Sequence, residues 1–542
     1  MRHAFPLIGG LAAATLLLTG CTGEPAGNGD DAAAEVAPGF LAVADESIAS
    51  SGTFRAYLDY DTVEPNGLDP RTADTARSWT IMGLAYETLV NIDENFEFTP
   101  GLAESWDEVS PTEYVFHLRD DAVFSNGRPM TADDVKGSIE LLLETGSAWS
   151  LQLGPIESVE VTGDLEVTVK LSAPYTALLG ALANTPAAIL PVQEVRDGTV
   201  DLKTEMVGTG PFVPTAHVQD ESWSFEQNPH YHGLDELGID AVELEIVPDE
   251  ANRLAAIRDG SAQYVFFNNA DALDLLAGTP EAKVVNQQNT DFYYVILNST
   301  NPDSPLADER VRFAVNAAID RAQLSDLTLA GHGLATGVSP VSLPGACDPE
   351  ELPSQQLSDE EITKLLAEAG AENITLSLQT WNSESAPGKI AQVIQQQLEP
   401  FGVTVDIEIV DDATYGATFY GSDETAGADI GVSWYAGYGD AAMVSRWWNT
   451  DQAGFTARFM QGSPELNQLV VDASEEPAGE GRDATLTKLC AAVDEGAEQV
   501  PLMTRPGVIA YRDDLISPTI NSNEGYGDIF RYVTDFRLKS EG

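Results

Sequence analysis

"TEYVFHLRDDAVFSNGRPMTADDVKGSIELLL", residues 112–143, changes its period half-way along. Tyr114, Phe116 and Leu118 alternate with Val115, His117 and Arg119, the two-residue period of a strand with one buried face. After the "FSNG" turn (124–127), Thr131 stands where an N-cap belongs and Asp134 three residues on, the capping-box start of a helix. A strand passed to a helix through a tight turn predicts an α/β fold, with sheets flanked by helices.

The exchange recurs downstream. "VTGDLEVTVKL" (161–171) reads as a hairpin turning at Gly163-Asp164. "ERVRFAVNAAIDRAQL" (309–324) sets Val311, Ala314, Val315, Ala318 and Ile319 on one helical face. "LSDEEITKLLAEAG" (357–370) is capped by Ser358 and Glu361 and stopped by Gly370. Strand "ITLSLQTW" (374–381), helix "GKIAQVIQQQLEPFG" (388–402) with Ile390, Val393, Ile394 and Leu398 inward, and strand "VTVDIEIV" (403–410) form a β-α-β run. The last is expected to hold Val403, Val405, Ile407 and Ile409 on one side. Such a run predicts a parallel or mixed sheet. At 542 residues the chain exceeds one ordinary core, so two or three domains are expected, and no internal repeat is seen.

The first residues read as a processing segment. Arg2 supplies a positive start, "PLIGGLAAATLLL" (6–18) an apolar run, and "LTGC" places Thr19 and Gly20 before Cys21. A cysteine after small residues is similar to the lipobox of bacterial lipoproteins, which implies residues 1–20 as signal peptide and Cys21 as the lipidated residue. Residues 21–51 begin as a small, polar, periodless tether. No later run of ~18 apolar residues is long enough to span a bilayer. The expectation is an exported chain, lipid-anchored to the cell membrane.

Charge excludes a class of function. Against 87 acids stand 27 bases, a formal charge of −60, which repels nucleic acid and anionic lipid heads. The acids are scattered, as on a solvated acidic surface. Cys347 and Cys490 remain after Cys21; outside the cytoplasm such a pair can be oxidised, but sequence leaves open whether they meet.

Catalytic signatures are missing: no G-x-S-x-G, S-x-x-K, H-E-x-x-H or Walker A string occurs. His230 and His232 in "NPHYHG" lack a third ligand and read as loop histidines rather than a metal site. The expectation is a protein that is not an enzyme and needs no cofactor or metal.

A set of motifs then falls in order: "GLAESW" (101–106), "YVFHLRDDAVFSNGRPMTADDVKGSIE" (114–140), "GTGPFV" (208–213), "NPHYHG" (228–233), "ANRLAAIRDGSAQYV" (251–265), the 309–324 helix and "VPLMTRPGVIAYRDDL" (500–515). Together they closely resemble the family 5 extracellular solute-binding proteins of ABC importers, the peptide and nickel group. The resemblance implies a two-lobed periplasmic-binding-protein fold, type II-like with an extra domain, closing at a hinge. Domain I would comprise 52–90, 206–296 and 508–542, domain II the insert 91–205, and domain III, the second lobe, 297–507. It also implies capture of a peptide or peptide-like solute for a membrane permease and its ATPase, by a monomer. The alternatives kept open are a non-peptide ligand (glycan fragment, siderophore or metal chelate), or a surface receptor lipoprotein not coupled to transport.

The same resemblance places "GADIGVSWYAGYGDAAMVSRWWN" (427–449) at the end of a second-lobe strand entering the cleft. Trp434, Tyr435 and Tyr438 are the expected aromatic walls, with Trp447 and Trp448 weighed between lining and packing. Peptide-binding members commonly carry an acid where this chain has Gly437; it pairs with the ligand's α-ammonium. Asp440 is a candidate replacement or else a turn residue. Trp381 and Asn382 after a strand, Asn268 at another strand end, Tyr526 near the C-terminus and Arg446 complete the candidate ligand contacts.

Overall fold

The computed structural model describes residues 37, 39–48, 51–62, 67–73, 76–147, 149–382, 384–419, 427–435, 437, 439–523 and 529–539. Cys21, Tyr438 and Tyr526 lie outside the described residues.

Two large mixed sheets organise the described residues. The first, of seven strands, runs Ala282–Gln287, Gly507–Arg512, Tyr264–Phe267, Thr53–Leu58, Ala241–Ile246, Ser222–Gln227, Phe212–Val218. Thr53–Leu58 is parallel to both its neighbours and the other pairings are antiparallel. The second, of five strands, runs Val403–Val410, Ile374–Trp381, Ile430–Tyr435, Phe292–Leu297, Gln499–Thr504. In it the β-α-β run read from the sequence is realised: Ile374–Trp381 and Val403–Val410 are parallel, joined by helix Ser385–Leu398. Ile390, Val393, Ile394 and Leu398 all face inward. The alternation of the edge strand breaks at its end, where Ile409 is 47% exposed while Val403 and Val405 are buried. There the strand belongs to an open surface lined by Gln392, Gln395 and Gln396.

The chain passes between the sheets at 288–291 and at 505–506. These crossings put the whole of Phe292–Leu297 in the second lobe, five residues ahead of the boundary expected at 296–297; the register with Ile430–Tyr435 decides it. Gly507–Arg512 correspondingly pairs from its first residue in the first sheet.

The insert carries the opening motif. Ala103–Ser110, Glu113–Leu118, Glu166–Leu171 and Ile156–Gly163 form an antiparallel sheet, with Tyr114, Phe116 and Leu118 inward. Helix Ala132–Thr145 follows, its capping box closed by the Thr131 amide and hydroxyl, both donating to the Asp134 carboxylate at 3.0 and 2.8 Å. Arg128 clamps the same carboxylate at 2.8 Å. The apolar core of the insert is continuous with that under one face of the second lobe, from Leu178 and Ala181 through Met443 to Tyr294 and Trp448. Thr176 N donates to Ser474 O at 2.8 Å across this contact.

Cys347 and Cys490 are joined in a disulfide, with Cα atoms 6.2 Å apart, tying the 338–348 loop to helix Glu480–Gly496. Among the described residues no helix is long and apolar enough to cross a membrane.

Candidate ligand cleft

Strand Ile430–Tyr435 ends beside both crossings, and its alternation sends its last two aromatics to opposite faces. Trp434 keeps a partly exposed ring, and the Arg505 guanidinium lies 4.3 Å from its centroid. Tyr435 turns the other way. It is 5% exposed and stacks between Tyr294 at 4.2 Å and Trp447 at 4.6 Å. Its hydroxyl lies 3.1 Å from Gln499 Oε1. Trp447 and Trp448 are 2% and 1% exposed, and Trp448 Nε1 donates to Gln499 O at 2.8 Å. Among the described residues the tryptophan-rich stretch is therefore mostly the floor of the second lobe, and one of its rings, Trp434, reaches the crossings.

Arg505 is the centre of that region and was not anticipated from the sequence. It is fully buried between the strands Gln499–Thr504 and Gly507–Arg512. Its amide donates to Asp291 O at 2.8 Å, linking one crossing to the other. Its side chain lies 3.5 Å from Asp291 Oδ2 and 3.5 Å from Glu384 Oε2, and Nη2 donates to Asn268 Oδ1 at 2.6 Å. Asn268 in turn donates to Asp59 Oδ2 at 2.5 Å. Asp59 and Asn268 come from the first lobe, Glu384 and Trp434 from the second. A guanidinium presents its donors as a planar fork and stacks on aromatic rings, which suits it to joining four such groups at once. Burying three carboxylates with one guanidinium is tolerated only through such hydrogen bonding. The signal in the sequence was "TRPG" (504–507), the one charged residue between two apolar strands.

Gly437 explains itself through packing. Its amide donates to Asp291 Oδ1 at 2.7 Å, and a Cβ at this position would collide with Oγ1, Cβ and the carbonyl carbon of Thr290. No side chain fits, so an acid here is barred by the crossing itself. Asp440, the candidate substitute, is engaged twice: it caps helix Ala441–Ser445 through Ala442 N at 2.7 Å and pairs with Arg482 Nη2 at 2.5 Å.

The other expected contacts sit as follows. Trp381 is 7% exposed, edge-on to Tyr415 at 4.7 Å, while Asn382 beside it is exposed. Arg446 is 4% exposed, donates to Gln452 O at 3.2 Å and lies 5.3 Å over Trp447. His232 is not a bare loop histidine: its Nε2 is 2.9 Å from Glu87 Oε1 and 3.0 Å from Arg119.

The arrangement of two lobes, paired crossings and a strand-end tryptophan can now be set beside known proteins. The profile of the bacterial extracellular solute-binding proteins, family 5 (middle region), matches residues 97–456. The glutathione-binding protein GsiB of Salmonella paratyphi A is 27% identical over 389 residues, covering 69% of this chain and 73% of that one. The solved structure of AgaA from A. tumefaciens R10, in complex with agropinic acid, superposes with a TM-score of 0.78 at 22% identity over 91% of this chain and 99% of that one. The murein tripeptide binding protein MppA of Escherichia coli gives 0.77 at 22% identity, over 91% of this chain and 100% of that one; its unliganded open form gives 0.67 at 21% identity, over 92% and 99%. With two thirds of the chain inside the profile, this protein belongs to the family 5 bacterial extracellular solute-binding proteins.

Proposed function

We propose that this chain is the solute-receiving component of an ABC importer, capturing a peptide or peptide-like molecule between its lobes for a membrane permease and its ATPase. The observation that carries this is the Arg505 hub at the paired crossings, on top of the family match. Two hinge segments and both lobes meet at one side chain, so a change in lobe angle alters its contacts directly. Binding energy gained from both lobes favours the closed arrangement, which is a population shift. Relatives named for glutathione, for D,D-dipeptides and for di- and tripeptides support the peptide class. Family members are solute-binding transport proteins, and the chain acts by binding rather than by turnover.

The ligand contacts we assign are Trp434, as a wall, and Asn268, as a hydrogen-bonding group, with the buried Arg505 holding both in place; Asn382, Tyr438 and Tyr526 stay as candidates. A second reading has its own observation. Gly437 has no room for an acid and Asp440 is held by Arg482, so the usual partner of an α-ammonium is missing at both positions. A ligand whose amino end is blocked, or a non-peptide solute, fits that arrangement. We also propose that the chain acts outside the cytoplasm as a monomer, anchored through Cys21.

Native mass spectrometry of protein purified from its own organism, followed by release of whatever it carries, tests these readings. Masses spaced by amino-acid residues with free amino ends support the first. A single non-peptide or N-blocked mass supports the second. Protein saturated with nothing, and unresponsive to peptides and to cell extract, would overturn both.

A further inference from the structure

The insert leaves the first lobe and returns to it, so the apolar core it shares with the second lobe is a contact without a covalent junction. Three features make that contact. The hairpin of Val90–Ile92 and Phe98–Pro100 leans on Gly439, where a Cβ would meet Ile92 Cδ1 at 2.6 Å and the Phe96 ring at 3.7 Å. Helix Leu178–Leu182 leans on Met443, whose Sδ would lie 2.9 Å from a Cβ on Gly180. Thr176 donates twice to Ser474 O in the last turn of helix Pro464–Glu475, from its amide at 2.8 Å and its hydroxyl at 3.1 Å.

Two observations mark this contact as one that parts. Each half keeps its shape through bonds inside its own lobe: Asp440 caps helix Ala441–Ser445 and pairs with Arg482, while the Tyr175 hydroxyl donates to Gln152 O at 2.9 Å. The fit is also incomplete. A void of about 440 Å³ runs along it, between Phe96, Phe98 and Tyr175 of the insert and Pro344, Asp440 and Arg482 of the second lobe. Permanent cores are packed to crystal density with few voids larger than a water, whereas contacts between domains that move are looser. The hairpin turn adds strain. Phe96 sits at φ +63°, the left-handed region that bulky side chains rarely occupy. Asp93 fixes the turn, its Oδ1 accepting from Asn95 N at 2.8 Å and Glu97 N at 2.9 Å. Glycine would adopt this conformation freely, so the ring is locally unfavourable and is offset by what it touches. Strain of this kind gathers at clamps and switches.

We propose that the 90–100 hairpin, the Gly180–Met443 seat and the Thr176–Ser474 clasp form a latch between the insert and the second lobe. It is made when the lobes close and parted when they open, and it sets the share of closed protein before any solute arrives. A larger closed share raises the apparent affinity for whatever the closed form holds. The inference rests on the lobe closure proposed above and not on the identity of the solute.

The test is small-angle scattering, with the melting temperature, on the full mature chain unfolded and refolded to strip any solute. Gly439→Leu drives a side chain against Ile92 and should enlarge the radius of gyration; adding Ile92→Ala should bring it back. Phe96→Gly relieves the backbone while removing the ring. It should give a larger radius with an undiminished melting temperature, a pairing that simple loss of core packing does not produce. Thr176→Cys with Ser474→Cys, oxidised, should hold Gly439→Leu at the parent's radius, because these two backbones already touch. Arg505→Ala is the control at the hinge. An unchanged radius in both Gly439→Leu and Phe96→Gly overturns the latch whatever the stability does, a fall marking a permanent core and no fall a contact without consequence. If Arg505→Ala alone enlarges the molecule, lobe closure stands and the latch falls. If no variant enlarges it, the closure reading falls as well.

Discussion

Placing the family's acid back at position 437 should damage the protein rather than restore ammonium binding. The backbone at Gly437 is not in the left-handed region, so conformation alone would admit another residue. What forbids it is Thr290, whose backbone and side chain occupy the volume a Cβ needs. Overpacking of this kind costs about 1–3 kcal/mol. An aspartate adds a second carboxylate beside Asp291, whose Oδ1 is 2.7 Å from the residue's own amide. A total of about 2–4 kcal/mol follows, and with an unfolding entropy near 1 kcal/mol/K for ~500 folded residues it lowers the melting temperature by about 2–4 °C. Gly437→Ala separates the terms, since it carries the collision without the charge, and should account for at least half of the loss. The assay is scanning calorimetry on Gly437→Asp, Gly437→Ala and the parent, paired with titration by one tripeptide and its N-acetylated form. A Gly437→Asp protein that melts with the parent and prefers the free amino end by tenfold or more would refute the argument from Thr290.

Further outcomes follow from other parts of the fold. Reducing the Cys347–Cys490 bridge, or replacing Cys490 with Ser, reopens a 143-residue separation and should cost up to ~4–5 kcal/mol on the loop-entropy view; an unchanged denaturant midpoint would show the bridge to be dispensable. Burial raises the Glu250 carboxyl above its ordinary value, and Asp59 and Asp271 reinforce this against Arg253 and the Asn269 amide. A raised acid contributes stability below its unfolded value of about 4.5 that is lost as pH rises through its folded value. Glu250→Gln should therefore be the more stable protein at neutral pH, with the gain vanishing near pH 4, and a constant difference from pH 4 to 8 would contradict this. Arg505→Ala leaves Asp291 and Glu384 without their guanidinium and should destabilise by about 3–5 kcal/mol, whereas Arg505→Lys should recover part of the stability but lose the fork that joins Asn268 to Glu384; equal stability of the three proteins would remove Arg505 from the hub. Cys21→Ala should release the protein from membranes, and full retention would exclude a lipid anchor there.

Local period made much of this fold readable. The strand at Tyr114, the capping box at Thr131 and the 374–410 β-α-β run all lie within a few turns of chain, where alternation and caps act. The single helical face read over 309–324 is instead broken into Glu309–Ala317 and Arg321–Leu329, because Asp320 caps a new helix. Alternation even says that Trp434 and Tyr435 face opposite ways. It does not say which of them faces the crossings, because that depends on the pairing of 430–435 with 292–297, some 140 residues away in sequence. Asp440 is a parallel case. A cap is legible in "GDAAM" (439–443), yet Arg482, which donates to the same Oδ1 that caps the helix, stands 42 residues further on and carries no mark of it.

Gly437 shows how a departure from a family pattern is to be weighed. Taken alone, a glycine in place of an acid reads as a deletion, a charge removed while the pocket is otherwise kept. In the folded chain the glycine lets the 288–291 crossing pack directly against the end of the Trp434 strand, with Asp291 accepting from the Gly437 amide. A carboxylate does stand in this neighbourhood, Asp291 on the 288–291 crossing, where Arg505 and Asn289 hold it. On the proposed assignment of Trp434 as a wall, a ligand meets it beside an acid already engaged by Arg505, so discrimination falls on shape and neutral hydrogen bonding at that end, which is why the free and N-acetylated tripeptides are the informative pair.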